Sequence, residues 1–336
     1  MPEGTHRHPV EDGFDLTIPG GIAKALQFEQ AGDRRYMAKR FRMTFMSGGT
    51  ECVGYLYRAD DGPAQRPCLV MAWGFGGTQE GTLAAMAAEF GEFGIPAFTF
   101  DYRSFGESGG EPRQVISIAG QLEDWRCAIA FVRGLAEVDP DKVALLGSSL
   151  GGGHVIVVAA DDPKLAAVVA QIPFTFGFPR KVEGRTGAET RRLLGAAIRD
   201  WWRGRTGKPP LYIPTMGQQG ELAVVASAEA VLTAQMMDNV TWRNEIAPRV
   251  LLDMAFWYRP GKRAKDIACP FLLTLAEYDE IGSATTTRRV AELAPRGELR
   301  RYPCNHLEFY HPHIRRVVVA DQASFLRTQL FGLHGI

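Results

Sequence analysis

The segment Gly147-Ser148-Ser149-Leu150-Gly151 carries the pattern G-x-S-x-G. The apolar run Val143-Ala144-Leu145-Leu146 precedes it, and the helix-compatible stretch from His154 to Ala160 follows. Strand, tight turn and helix in that order form a nucleophile elbow, which lifts a serine hydroxyl above the end of a sheet. The frame selects Ser149, because Ser148 has Leu150 where the second glycine is needed. The chemistry this implies is attack of a hydroxyl on a carbonyl. That reaction calls for a base, a carboxylate to orient the base, and hydrogen-bond donors for the oxyanion.

The base is best placed at His306. It follows the strand-like run Glu298 to Tyr302 through Pro303-Cys304-Asn305. His6 and His8 sit in a polar lead-in and His334 in the tail. His154 lies five residues past Ser149, about 140° round a helix axis, so it does not face the hydroxyl. His311 and His313 bracket Pro312 and read as the start of the last helix. The orienting acid is expected between serine and histidine in the chain. Leu275 to Gly282 follows a strand and offers Glu277, Asp279 and Glu280. Asp279 is the first choice, because a short side chain beyond the strand end suits a fixed hydrogen bond. Glu277 is the runner-up, and Glu280 is expected in solvent. One oxyanion donor is the N–H of Leu150, at a helix N-terminus. The other is the N–H of Phe75 in Trp73-Gly74-Phe75-Gly76-Gly77-Thr78, where glycines permit close approach. In Asp101-Tyr102-Arg103-Ser104-Phe105-Gly106 the Asp–Arg pair is expected to brace loops.

Elements that could position these residues alternate along the chain. Two short strands, Met43 to Met46 and Cys52 to Tyr57, straddle Ser47-Gly48-Gly49 as a hairpin. Strand-like runs follow at Cys68–Ala72, Pro96–Phe100, Val143–Leu146, Ala167–Ala170, Phe271–Leu275 and Glu298–Tyr302. Amphipathic helical stretches separate them. This alternation implies an α/β fold with a mostly parallel sheet flanked by helices. Residues 36–173 and 266–336 form that core, and residues 1–35 form an N-terminal extension. Residues 174–265 break the alternation and read as a cap over the carboxyl edge of the sheet, where ligands bind in open α/β sheets. Within the cap, the stretch from Leu211 to Val225 reads as a hairpin about Gly217 to Gly220. Trp73, Trp202, Met216 and Trp242 are the tentative substrate-binding residues.

Composition narrows the classes of partner. The chain has 336 residues, of which 46% are hydrophobic, and 38 basic residues balance 38 acidic ones. That balance points away from nucleic acid and from an anionic membrane as the main partner. No apolar run is long enough to span a membrane. The N-terminus lacks the pattern of a signal peptide, and five scattered cysteines fit a reduced cytoplasm. No Cys or His cluster has metal-ligand spacing, so no metal and no cofactor is expected. The expected partner is a small-molecule substrate, and a homodimer is compatible with the chain.

The motifs together resemble the α/β-hydrolase superfamily. They are W-G-F-G-G-T at Trp73, D-Y-R-S-F-G-E-S at Asp101, G-S-S-L-G at Gly147, E-Y-D at Glu277 and N-H at Asn305. Within the superfamily the chain is similar to the dienelactone-hydrolase-like and X-Pro dipeptidyl-peptidase-like serine hydrolases. The resemblance spans about Met43 to Leu330 apart from the cap. It implies Ser149 as nucleophile, His306 as base, Asp279 as acid, and Phe75 with Leu150 as the oxyanion hole. Many such enzymes carry histidine where this chain has Trp73, so an indole is expected to wall the acyl pocket. A carboxylic ester is the default substrate, through an acyl-enzyme. Amide or peptide hydrolysis, carbon–carbon bond hydrolysis and acyl transfer use the same triad. The alternative outside enzymes is a ligand-binding receptor on this fold.

Overall fold

A computed structural model of the chain describes residues 39–58, 65–177 and 186–333. The N-terminal extension, His6, His8 and His334 lie outside the described residues. The strands are β1 (Lys39–Ser47), β2 (Thr50–Arg58), β3 (Arg66–Ala72), β4 (Ala97–Phe100), β5 (Val138–Ser148), β6 (Ala167–Gln171), β7 (Met216–Gly217), β8 (Val225–Ala226), β9 (Phe271–Ala276) and β10 (Gly297–Tyr302). The α-helices are α1 (Thr82–Glu92), α2 (Ile118–Arg133), α3 (Leu150–Asp161), α4 (Gly187–Arg205), α5 (Ala228–Met237), α6 (Val250–Phe256), α7 (Ala284–Leu293) and α8 (Pro312–Phe331).

Eight strands form one sheet in the order β1-β2-β4-β3-β5-β6-β9-β10. Pairing is parallel from β4 through β10, and β2 runs antiparallel to both its neighbours. The central strands carry buried apolar runs at Cys68–Ala72 of β3, Val143–Leu146 of β5, Ala167–Ala170 of β6 and Phe271–Leu273 of β9, as a sheet covered on both faces requires. Their side chains divide into two buried clusters. Val70, Phe98, Leu145, Val168 and Leu273 belong to one; Leu69, Met71, Leu146, Val169 and Leu272 belong to the other. Successive residues point to opposite faces, so each strand feeds both clusters. The chain is thus an α/β-hydrolase fold in its described residues. Among these residues no helix is long and apolar enough to cross a membrane.

The segment between β6 and β9 carries α4, α5, α6 and the small β7–β8 pair. Within it, buried Asp200 on α4 accepts bonds from the backbone N, Nε and Nη2 of Arg249, which tie α4 to the start of α6. The stretch from Leu211 to Val225 is not the expected hairpin. Met216 and Gly217 pair with Val225 and Ala226 in parallel. Val225 N–H donating to Thr215 O and Ser227 N–H donating to Gly217 O make the ladder, and Val224 N–H donates to Pro214 O just before it. Pro214 has no N–H to return, so an antiparallel partner would lose a ladder bond there. The expected Asp101–Arg103 pair is also absent. Arg103 donates to Asp124 and Glu123 on α2, while buried Asp101 accepts from the Gln79 and Glu107 backbone and the Gln79 amide.

Candidate active site

Ser149 stands between β5 and α3 with φ of 54°, a positive value that a non-glycine residue adopts only under strain. The glycines either side make the turn possible. A Cβ on Gly147 would meet the Gly151 carbonyl oxygen at 2.1 Å, and one on Gly151 would meet the Trp73 oxygen at 2.4 Å. The backbone of Ser149 is pinned as well. Its N–H donates to Gln171 O, and its carbonyl accepts from Gly153 and Phe174.

His306 sits on the loop after β10, with Nε2 3.1 Å from Ser149 Oγ and Nδ1 3.0 Å from Asp279 Oδ2. Ionised Asp279 accepts only, so Nδ1 carries the proton and Nε2 is free to accept from the serine. The loop is shaped by Asn305, whose Oδ1 accepts from the N–H groups of Leu307 and Glu308. Asp279 is fixed in the same way, since its Oδ1 accepts from Ile281 and Gly282. Burial pushes its carboxyl toward the neutral form. The charge and hydrogen bond of His306, together with the two backbone donors, outweigh burial and hold its pKa below the usual value. Glu277, the alternative acid, pairs instead with Arg301. His154 is buried and bonded to Tyr258 and Gln121, away from the serine.

A cavity opens over this group. Trp73, Phe75, Ser149, Leu150 and His306 line its core side. Gly74 lies hard against the elbow, for a Cβ there would be 2.8 Å from Ser149 Cβ and 3.2 Å from Leu150 N. The segment between β6 and β9 supplies Phe174, Thr215, Met216, Met237 and Met254. Of the four tentative substrate-binding residues, Trp73 and Met216 line the cavity, and Trp202 and Trp242 do not. Trp202 is 59% exposed. It lies two positions past buried Asp200, about 200° round α4, so it faces outward. Trp242 is buried in the core cluster that contains Met237 and Leu83. Glu280 is exposed, as expected, but stands on the cavity rim.

Sequence reasoning missed Tyr310. Its ring lies 4.7 Å from Trp73 and 6.2 Å from His306, and its hydroxyl is 3.0 Å from Ser148 Oγ. Ser148 also accepts from the Gln171 amide, so the elbow, β6 and the histidine loop share one buried network. The spacing His306 to Tyr310 is one helical turn, which was the available signal. Glu229 was missed too; it lines the cavity with His311 Nε2 3.1 Å from its Oε1. Among the described residues no cluster of His, Cys, Asp and Glu could hold a metal ion. The geometry provides a hydroxyl, a base and a fixed carboxylate in series beneath an apolar cavity.

Comparison with known proteins places the chain in a lineage. The family described as serine aminopeptidase, S33, matches residues 64–311. The chain is 38% identical over 285 residues to the quorum-quenching protein AidA of Acinetobacter baumannii, covering 84% of this chain and 93% of that protein. It is 31% identical over 242 residues to the thiohydrolase apmlB of Arthrinium phaeospermum, covering 68% and 75%. The structure of DcsB in complex with its substrate analogue has the same fold, with a TM-score of 0.73 at 22% identity over 87% of this chain and 99% of that one. The chain therefore belongs to the serine aminopeptidase S33 family of α/β hydrolases.

Proposed function

We propose that the protein is a serine hydrolase that cleaves a carboxylic ester with an apolar acyl or alcohol part through an acyl-enzyme. Ser149 Oγ attacks the carbonyl as its proton passes to His306 Nε2. Asp279 orients the imidazole and stabilises its charged form. The N–H groups of Phe75 and Leu150 receive the oxyanion. His306 then protonates the leaving group, and water repeats the cycle to release the acid. The observation that supports this most is the continuous chain from Asp279 to His306 to Ser149, at 3.0 and 3.1 Å, under a cavity lined by Phe174, Met216, Met237 and Met254. A thioester is the second reading, favoured by the similarity to a protein named as a thiohydrolase. It requires the same residues, with a thiolate leaving.

Ser149→Ala is expected to lower kcat on p-nitrophenyl esters by on the order of 10⁶. A fluorophosphonate is expected to label the wild type at Ser149. Near-full activity in the variant would refute the assignment. Esters and matched thioesters of increasing acyl length separate the two readings, and strong preference for acetyl over octanoyl would exclude a large apolar acyl site.

A further inference from the structure

Helix α4 buries one side, with Leu193, Ala196, Ala197 and Asp200 turned into the protein. Its apolar residues do not stop there. Leu194, Ile198 and Trp202 are 42%, 43% and 59% exposed, and partly buried Trp201 stands among them. Their spacing sets these four side chains along one stripe, about 80 to 180° round the axis from Leu193. Single apolar residues on a surface are ordinary, but a stripe running about two turns is an exposed patch.

The charge around this stripe is of one sign. α4 carries five arginines and two carboxylates. Both carboxylates are occupied, since Glu189 closes the capping box with Thr186 and buried Asp200 holds Arg249. Arg191, Arg192, Arg199 and Arg205 are exposed, and none of them forms an ion pair among the described residues. Arg191 and Arg205 continue the stripe at its two ends, with the Arg205 guanidinium 4.6 Å from the centre of the Trp201 ring. Arg192 and Arg199 run along its solvent flank. The chain as a whole balances 38 basic residues against 38 acidic ones, so this excess is local.

A helix face of this composition fits the boundary of an anionic bilayer. Leucine, isoleucine and tryptophan enter the headgroup region while arginine extends to phosphate. A second copy is a poorer match, because α4 against α4 would set arginine against arginine. We propose that α4 is a docking surface for an anionic lipid membrane, on which the helix lies flat with Leu194, Ile198 and Trp202 against the headgroups. Docking requires no change of fold, because the buried side and the Asp200–Arg249 bonds already hold α4 from behind.

The test is flotation of the whole protein with vesicles of phosphatidylcholine, alone or mixed with phosphatidylglycerol. Binding is expected with the mixed vesicles alone and is expected to weaken as salt is raised. Arg191→Gln and Arg199→Gln are each expected to weaken it about fivefold. Ile198→Ser combined with Trp202→Ser is expected to weaken it about tenfold. All four side chains are exposed and none lines the cavity, so melting temperature and hydrolysis of a soluble p-nitrophenyl ester are expected at wild-type values. Ser149→Ala is expected to bind vesicles as the wild type does, which separates docking from the choice of nucleophile. Absence of binding to mixed vesicles at low salt, equal binding to both kinds, or binding untouched by these substitutions would overturn the proposal. So would a dimer that the same substitutions dissociate in a protein that ignores vesicles.

Discussion

Asp279 divides its acceptors between two tasks. One oxygen is held by the N–H groups of Ile281 and Gly282, and the other faces His306. An asparagine could keep the first task with its carbonyl oxygen. Its amide would then point a donor at Nδ1, forcing the ring proton onto Nε2, where the serine proton must be accepted. Asp279→Asn is expected to lower kcat by on the order of 10⁴ with Ser149 still present. The same carboxylate links stability to pH. Its folded pKa lies below the ordinary value, so its contribution is complete above the unfolded pKa of about 4 and is lost as pH falls through the folded one. Urea midpoints should show a stability gap between wild type and Asp279→Asn that is constant near neutrality and narrows below about pH 4. A gap that widened on acidification would contradict the assigned direction.

At the scale of elements, the elbow is a contact between backbones. Gly151→Ala would drive a methyl into the Trp73 carbonyl oxygen, 2.4 Å away. A cost of about 1–3 kcal/mol is expected, read from urea unfolding, with partial loss of the site. Gly195 provides the contrast. It lies within α4, and nothing stands within 4 Å of the place its Cβ would take. Gly195→Ala should stabilise the protein by about 0.5–1 kcal/mol. A destabilised Gly195→Ala would show that α4 meets something on that side. These two glycines also show what was legible in the sequence. The elbow, the order of serine, acid and histidine, and the parallel core depend on local spacing and on apolar runs, which composition exposes directly. Which side of α4 turns inward is decided by Leu193, Ala197 and the Asp200–Arg249 bond, and none of its residues lines the cavity. Aromatic content alone therefore misassigned Trp202. Likewise β7 and β8 are two residues each, too short for their direction to be written in alternation.

Across the whole molecule, the segment between β6 and β9 is rooted in the core through His154. This residue lies on α3 just behind the elbow, with Nδ1 2.7 Å from the Tyr258 hydroxyl and Nε2 2.9 Å from Gln121 Oε1 on α2. The Gln121 oxygen can only accept, so Nε2 donates, and Nδ1 accepts from Tyr258. Tyr258 in turn stacks on Phe174, which lines the cavity. Nucleophile helix, core helix and cavity wall thus meet at one neutral imidazole. Burial pulls its pKa down to about 3, while an unfolded histidine titrates near 6.5. Between those values the unfolded chain binds one proton that the folded chain does not. Stability is therefore lost as pH falls through this window, at about 1.4 kcal/mol per pH unit from this group. His154→Gln, whose amide can donate to Gln121 and accept from Tyr258, removes the titration and keeps the bonding pattern. The wild type is expected to be more stable near neutrality, and its advantage should shrink as the pH is lowered from about 6 to about 4. Denaturation curves measured across that range test this directly. Parallel pH dependences for the two proteins would mean that His154 is not the group through which acid loosens the cavity wall.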